Sequence, residues 1–458
     1  MDIFLLNFSQ YTKERSTEMK KFAFIGGGSF GFTRKLVKDI LTFPAFKDAE
    51  IALMDINEER LEYIRIACEK IVRAGNYPAK ITATTDRVEA LKGADGVVCT
   101  ILSGDVDIWK NDILIPKKYG IDLNVGDTRG PSGIFRALRT IPVMLDICAD
   151  IEKYCPDAVF LNYTNPMAML CRAMQEKFPN LKITGLCHSV QGTARMLAGW
   201  VGADPKDVTY TCAGVNHQAF YLDLKWNGKD MYPLIEEALK KPEIANEEKV
   251  RSNMFRHLGY YPTESSGHNS EYVAWYRKRA DLIDKFCTDG TGWNPGKHSY
   301  ILDYYIEMKD KWRDQIKEHL DKPDSEIELE RGEEYAAYIF NAMFGDNTIF
   351  KFNGNVRNFG LIDNLPEGCC VEVPVVASKD SLEAIAVGSL PEQLAVLVNT
   401  TARCEELAVE AALEGDKRKV FWACAFDPLT SAVLTLDEIE EMVNEMLEIN
   451  KEFLPWYK

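Results

Sequence analysis

Residues 21–31 read KFAFIGGGSFG, a short apolar run that stops in Gly26-Gly27-Gly28-Ser29-Phe30-Gly31. The stretch that follows, residues 32–43, has helical character. An apolar strand, a G-x-G-x-x-G turn and a helix, in that order, open a dinucleotide-binding fold. Gly26 suits the tight turn, Gly28 lets the backbone approach a pyrophosphate, and Gly31 is expected to permit close helix–strand contact. The amides of the first helical turn, beginning around Ser29 and Phe30, then face the phosphates. A second apolar strand, residues 51–54, ends in Asp55, at about the distance beyond Gly31 where a carboxylate binds a ribose diol. An acid at that position favours NAD over NADP.

Outward from this turn, the first 200 or so residues alternate strand and helix signals. Strands are predicted at 22–25, 51–54, 81–84, 96–101, 159–162 and 183–187. Helices are predicted at 58–74, 109–119, 134–154 (bent at Pro142) and 167–178. This pattern predicts a Rossmann-like, doubly wound, mostly parallel α/β sheet over residues 20–204, with ligands at the carboxyl ends of the strands. Residues 1–19 read as an N-terminal tail. From 205 to 458 the signals change to a mixed α+β domain. Residues 208–214 and 220–226 are antiparallel strands followed by an Asn227-Gly228 turn, 248–331 are mainly helical, 370–376 form another strand, and the rest is helical with acidic, solvated faces. No Pro/Gly-rich linker divides the chain, so the second region should pack tightly on the first.

The chain has 458 residues, of which 46% are hydrophobic and 27% charged, which fits a soluble globular protein of two to three domains. With 54 Lys and Arg against 70 Asp and Glu, its net charge of −16 argues against nucleic acid or an anionic membrane as partner. No apolar run approaches the roughly 18 residues of a membrane span. The 12 cysteines form neither a C-x-x-C pair nor a disulfide framework, which suits a reducing cytoplasm.

Four segments at strand ends and beyond carry residues that can do chemistry: Asn162-Tyr163-Thr164-Asn165-Pro166, Gly185-Leu186-Cys187-His188-Ser189, Gly214-Val215-Asn216-His217, and the run 261–272, YPTESSGHNSEY. Cys187 and His217 could hold a divalent metal as thiolate and neutral imidazole, leaving positions open for substrate oxygens. Taken singly, Cys187 reads equally as a small core residue, His217 as a hydrogen-bonded structural histidine, and Asn165 as a turn residue. Asp127, in the polar loop GDTRG, could bring a carboxylate to the site or lie on the surface. Tyr272 is a base only if a cation lowers its pKa from about 10; otherwise it is packing.

Together and in this order, NYTNP, CHSV, GVNH and TESSGHNSEY resemble the NAD-dependent glycoside hydrolases of family 4, and LPEGCCVEVP at 365–374 resembles that family's later signature. The resemblance covers nearly the whole chain from Lys21. It implies a lactate/malate dehydrogenase-like fold, NAD and Mn²⁺ as cofactors, and a homodimer or homotetramer. It also implies hydrolysis by oxidation at C3 of the sugar, elimination across C1–C2, water addition and re-reduction, outside the usual two-carboxylate scheme. The residue roles it implies are Cys187 and His217 as metal ligands, Tyr272 as the base at C2, and Asp127 as the carboxylate that makes the tyrosine more basic. Asn165 would be a sugar contact, and Gly26, Gly28, Ser29, Phe30, Gly31 and Asp55 the dinucleotide site. His188 would contact the sugar and protonate the leaving oxygen, with Glu264 and His268 as substitutes. CHSV resembles the members that act on α-galactosides, of melibiase type, although Gly267 stands where a larger polar residue is expected. No arginine matches a sugar-phosphate site; Asn111 lies about where one would fall. The alternatives are an α-galacturonidase, with Arg277 or Arg279 as the cation for its substrate carboxylate, an α-glucosidase, or a 2-hydroxy-acid dehydrogenase.

Overall fold

A computed structural model describes residues 19–291, 298–379 and 381–456; most of the 1–19 segment lies outside the described residues. Six parallel strands form the first half of the sheet: β1 (Lys21–Ile25), β2 (Glu50–Met54), β3 (Lys80–Thr84), β4 (Gly96–Cys99), β5 (Val159–Asn162) and β6 (Lys182–Gly185). Their order, β3-β2-β1-β4-β5-β6, is that of a doubly wound dinucleotide fold. Helices α1 (Phe30–Leu41), α2 (Glu58–Ala74), α3 (Arg87–Leu91), α4 (Val106–Lys118), α5 (Gly130–Tyr154), α6 (Met167–Lys177) and α7 (Ser189–Val201) lie between and after them. β4 and β5, GVVC and VFLN, are buried at every residue. Unbroken apolar runs of this kind are what a sheet covered on both faces requires.

The sheet continues into the second half of the chain. β7 (Val208–Val215), β8 (Gln218–Trp226), β9 (Lys229–Asp230), β10 (Phe350–Arg357), β11 (Cys370–Ala377) and β12 (Leu382–Ala384) make a single twelve-stranded sheet with the first six. The seam between the halves is the antiparallel pairing of β10 with β6 at Asn355 and Gly185. β11 in turn meets β7 at Glu372 and Gly214. The Asn227-Gly228 signal is realised as the two-residue turn joining β8 to β9, with both residues at positive φ.

The faces of the parallel half are covered from both ends of the chain. On one face, Ala23, Ile25, Val97 and Cys99 share a core with α5, α6 and the C-terminal residues Ala408, Met442 and Met446. On the other, Phe22, Phe24 and Val98 pack with α1, α2 and the helix Tyr335–Phe344. Residues from both sides of 204/205 therefore share these cores. The acidic helix Leu436–Asn450 buries Ile439, Met442, Val443, Met446 and Leu447, exposes Asp437, Glu438, Glu440 and Glu441, and starts at a capping box of Thr435 and Glu438.

α5 runs from Gly130 to Tyr154 with Pro142 inside it. Two details depart from the sequence reading. β10 reads FKFNGNVR, whose internal Asn-Gly looks like a turn, yet Asn353 donates to the Cys212 carbonyl at 2.8 Å and Asn355 to the Gly185 carbonyl at 3.3 Å. Its polar side chains thus tie it to β6 beside it and to β7 beyond β11. Gly31 makes no close helix–strand contact: a Cβ there would meet nothing within 4 Å. The tight positions are Gly26, at φ +79°, where a Cβ would collide with the Thr100 carbonyl oxygen, and Gly28, where a Cβ would stand 2.6 Å from the Asp55 carboxylate.

Gly26→Val is therefore expected to cost about 1–3 kcal/mol through strain and collision, whereas Gly31→Ala should be neutral or gain up to about 1 kcal/mol from helix propensity. Urea unfolding of the two variants checks the contrast, and comparable losses at both positions would contradict this account of the turn.

Candidate active site

The carboxyl ends of the parallel strands are tied into one ledge. Thr100, just past β4, donates its hydroxyl to the Gly26 carbonyl at 3.0 Å. The Ile101 amide donates to Thr164 Oγ1 at 2.9 Å, and Asn162 at the end of β5 holds the Thr164 backbone through its amide at both ends. Asn165 follows, joined to Pro166 by a cis peptide bond. The glycine turn and the NYTNP segment therefore lie next to each other. At the turn itself, α1 has no acidic residue in its first turn, and Ser29 caps it without a side-chain bond, leaving the helix end suited to an anion. Asp55 accepts from the Gly28 amide at 2.8 Å and from the Asn57 amide at 2.9 Å.

Beyond β6, Cys187 sits at the start of α7, buried, its sulfur engaged by the Ser189 amide at 3.4 Å and its thiol directed to Ser189 Oγ at 3.3 Å. His217 forms half of the Asn216-His217 turn between β7 and β8 and takes a left-handed φ of +62°. Glu264, at φ +67°, precedes Ser265, whose hydroxyl caps the short helix Ser266–Glu271 by accepting from the His268 amide. Tyr272 closes that helix, fully buried.

These pieces converge. One ligand atom each from Cys187, His217 and Glu264 lie within 4.8 Å of one another, and so do those of Asp127, His217 and His268. His217 Nε2 is 3.6 Å from Glu264 Oε2, while its Nδ1 is 3.2 Å from Thr128 Oγ1 and 3.3 Å from the Tyr272 hydroxyl. Asp127 accepts from Thr128 Oγ1 at 2.6 Å and from Asn165 Nδ2 at 3.0 Å, with His268 Nε2 at 3.7 Å. His268 Nδ1 lies 3.2 Å from Glu264. Arg129 stacks its guanidinium 4.5 Å from the centre of the Tyr272 ring and donates to the Asn216 carbonyl.

Burial sets the protonation states, modified by these neighbours. It drives His217 down to about 4 against the pull of Glu264, so its imidazole is neutral and offers a lone pair. Burial also opposes the charge on His268, but Glu264 and the hydrogen-bonded Asp127 prevail and raise it to about 9. For Asp127, burial is outweighed by the bond to His268 and its charge, which hold the carboxyl below its usual range. Glu264 is likewise lowered despite burial, by His217 and His268. The Cys187 thiol is pushed well up by burial and then by Glu264 and Glu372, and Tyr272 is pushed well up by burial against the opposing Arg129. Both remain protonated unless a further cation enters.

The structure thus brings Cys187, His217, Asp127, Asn165 and Tyr272 together. His188 stands apart: its side chain is 61% exposed, with Glu334 4.0 Å away. Sequence reasoning treated Glu264 and His268 only as substitute acids and gave no role to Thr128, Arg129 or Glu271. The four-residue spacing of Glu264 and His268 was the available signal, since it allows the two side chains to meet.

The chain matches the model for the family 4 glycosyl hydrolases over residues 21–203 and the model for that family's C-terminal domain over 212–430. An α-galactosidase of Rhizobium meliloti is 37% identical over 95% of this chain and 89% of its own length. An α-galactosidase of Bacillus subtilis is 38% identical over 96% of this chain and 100% of its own. In fold, the chain is similar to the crystal structure of a 6-phospho-α-glucosidase from gut microorganisms in complex with NAD and Mn²⁺, with a TM-score of 0.81 at 21% identity, covering 96% of this chain and 100% of that one.

In protein stripped of divalent ions, histidine-selective NMR should find His217 titrating near 4 and His268 near 9. Because its folded pKa lies above the 6.5 of an ordinary histidine, His268 contributes stability that is complete below about pH 6.5 and is lost as the pH rises through 9. His268→Gln should therefore destabilise the metal-free protein more at about pH 6 than at about pH 10; equal losses would mean that His268 carries no charge.

Proposed function

This chain belongs to family 4 of the glycosyl hydrolases, and we propose that it hydrolyses terminal α-D-galactosides of melibiose type, with NAD and Mn²⁺ as bound cofactors. The observation that carries this reading is the convergence of a thiol, a neutral imidazole and a carboxylate with a buried phenol beside the dinucleotide turn. That set counts against a 2-hydroxy-acid dehydrogenase with a related cofactor fold, a reading that calls for neither metal nor thiol.

The residues fit both groups. Gly28 leaves space that a Cβ would close against Asp55, and the opening of α1 carries no acid to repel a pyrophosphate. Gly26, Gly28, Ser29, Phe30, Gly31 and Asp55 would hold the dinucleotide. Cys187, His217 and Glu264 would hold the cation, three donors that leave positions for sugar oxygens. Bound NAD supplies reversible oxidation at C3 of the sugar, and the cation supplies polarisation of the resulting carbonyl and the positive charge that ionises Cys187 and Tyr272.

The chain's own groups account for the proton transfers. Tyr272, as phenolate, takes the proton from C2, and the nearby Asp127 anion raises its basicity. Asn165 orients the sugar: its Nδ2 is fixed by Asp127, while its Oδ1 is buried without a hydrogen-bond partner and can accept from a C2 or C3 hydroxyl. His188, with its exposed side chain, contacts the sugar and protonates the departing C1 oxygen. A neutral sugar is favoured over a galacturonide because Arg277 is committed to Asp122 and Ser270, and Arg279 to Asp281. The 12 cysteines are all free and buried, in keeping with a cytoplasmic enzyme, and no helix among the described residues is long and apolar enough to cross a membrane.

Aryl α-galactosides, α-glucosides and α-galacturonides should be assayed with NAD, Mn²⁺ and a thiol reductant, each additive omitted in turn. The galactoside should be turned over only with all three, without net NADH, with a C2-deuterium isotope effect and solvent exchange at C2. Net NADH from a hydroxy acid, or hydrolysis without C2 exchange, would overturn the reading. Cys187→Ser should lose Mn²⁺ stimulation while still binding NAD, and Tyr272→Phe should lower C2 exchange by roughly 10²–10⁴-fold.

A further inference from the structure

Loop 123–129 carries Asp127 and Thr128, and a single side chain grips its centre. Three successive amides turn onto it: Asn124 and Val125 donate to Glu271 Oε2 at 2.7 and 3.0 Å, and Gly126 to Oε1 at 3.0 Å. Successive amides that converge in this way make an anion nest, and here the anion is part of the protein and buried. Gly126, at φ +65°, turns the third amide inward; its carbonyl accepts from Ser132 Oγ at 2.5 Å and Trp109 Nε1 at 3.4 Å, so the loop is gripped from both sides.

The residue after Glu271 is Tyr272, and the residue after Gly126 is Asp127. One peptide unit therefore separates each end of this grip from a group of the reaction. The remaining contacts close a circuit: Asp127 to Thr128 at 2.6 Å, Thr128 to His217 at 3.2 Å, and His217 to the Tyr272 hydroxyl at 3.3 Å. We propose that Glu271 is a positioning residue that fixes the Tyr272 hydroxyl relative to Asp127 and His217 through the amides of loop 123–129. This rests on Tyr272 as the base at C2. A displacement of about 1 Å in such a geometry can cost on the order of 10²-fold in rate without changing what is bound.

Two substitutions probe the grip. Glu271→Gln keeps the reach but places an amide donor against amide donors, and Glu271→Asp keeps the charge but shortens the reach. In the enzyme loaded with NAD and Mn²⁺, both should lower kcat for an aryl α-galactoside and C2 exchange at least about tenfold. KM and the Kd values for Mn²⁺ and NAD should stay within about threefold, since no substrate or cofactor ligand is removed. Where the Glu271 variants fail to fold, Gly126→Ala disturbs the loop side of the same contact and should give the same kcat-selective loss. A folded variant with kcat within about twofold of wild type, or a kcat loss matched by an equal loss of Mn²⁺ or NAD affinity, would overturn the proposal. Absence of C2 exchange in the wild-type enzyme would instead overturn Tyr272 as the base.

Discussion

The site depends on burying two ionised carboxylates within reach of one imidazolium. Glu264 and Asp127 flank His268 at 3.2 and 3.7 Å, with Glu264 and His268 buried and the Asp127 side chain largely so. An isolated buried carboxylate costs several kcal/mol, so two of them beside a neutral histidine would shed their charge. His268 accepts the positive charge because both anions favour it. The two anions outnumber the imidazolium between them, and the His217 imidazole beside them is kept neutral by burial. That excess suits a divalent ion, whose positive charge would lower the Cys187 thiol and the Tyr272 phenol that burial and these anions hold up.

The fold is what allows these groups to meet. The parallel half supplies the glycine turn, Asn165 and Cys187, and the antiparallel half supplies His217. The segment after β8 supplies Glu264, His268 and Tyr272. No one of these stretches holds a working set. Their relative placement rests on two narrow registrations in the sheet, Asn355 with Gly185 and Glu372 with Gly214. Each lies within three residues of a proposed metal donor: Gly185 leads to Cys187 and Gly214 to His217. Continuity of the sheet across its two halves is thus a requirement of the chemistry as well as of packing.

Local signals were legible in the sequence, and cross-chain geometry was not. The strand, glycine turn and helix at residues 21–41 could be read because each depends on its neighbours in sequence, as could the Asn227-Gly228 hairpin. Gly31 shows the limit of reading a motif by template: its spacing matches, but its surroundings are open. β10 has no counterpart in the sequence reading: FKFNGNVR carries polar residues through the strand, and only the fold shows that its asparagines bond to β7 and β6. Cys187 and His217 were legible as donors by chemistry, and their convergence needed the fold. Glu271 could not be singled out at all, because its partners are backbone amides more than a hundred residues away, and backbone amides leave no mark in a sequence.

Exposure is graded across the site in a way that suits the two proton transfers proposed for Tyr272 and His188. Tyr272 and Thr128 are sealed from solvent, the Asp127 side chain is 16% exposed, and that of His188 is 61% exposed. A base that must abstract a weakly acidic C–H proton benefits from a dry, fixed setting, where the neighbouring charges act at low dielectric and water cannot compete for it. An acid that protonates a departing alcohol needs the opposite: it must be resupplied from solvent, on the side where the alcohol leaves. The contacts from the Tyr272 hydroxyl through His217 and Thr128 end at the Asp127 carboxylate, which has partial access to water.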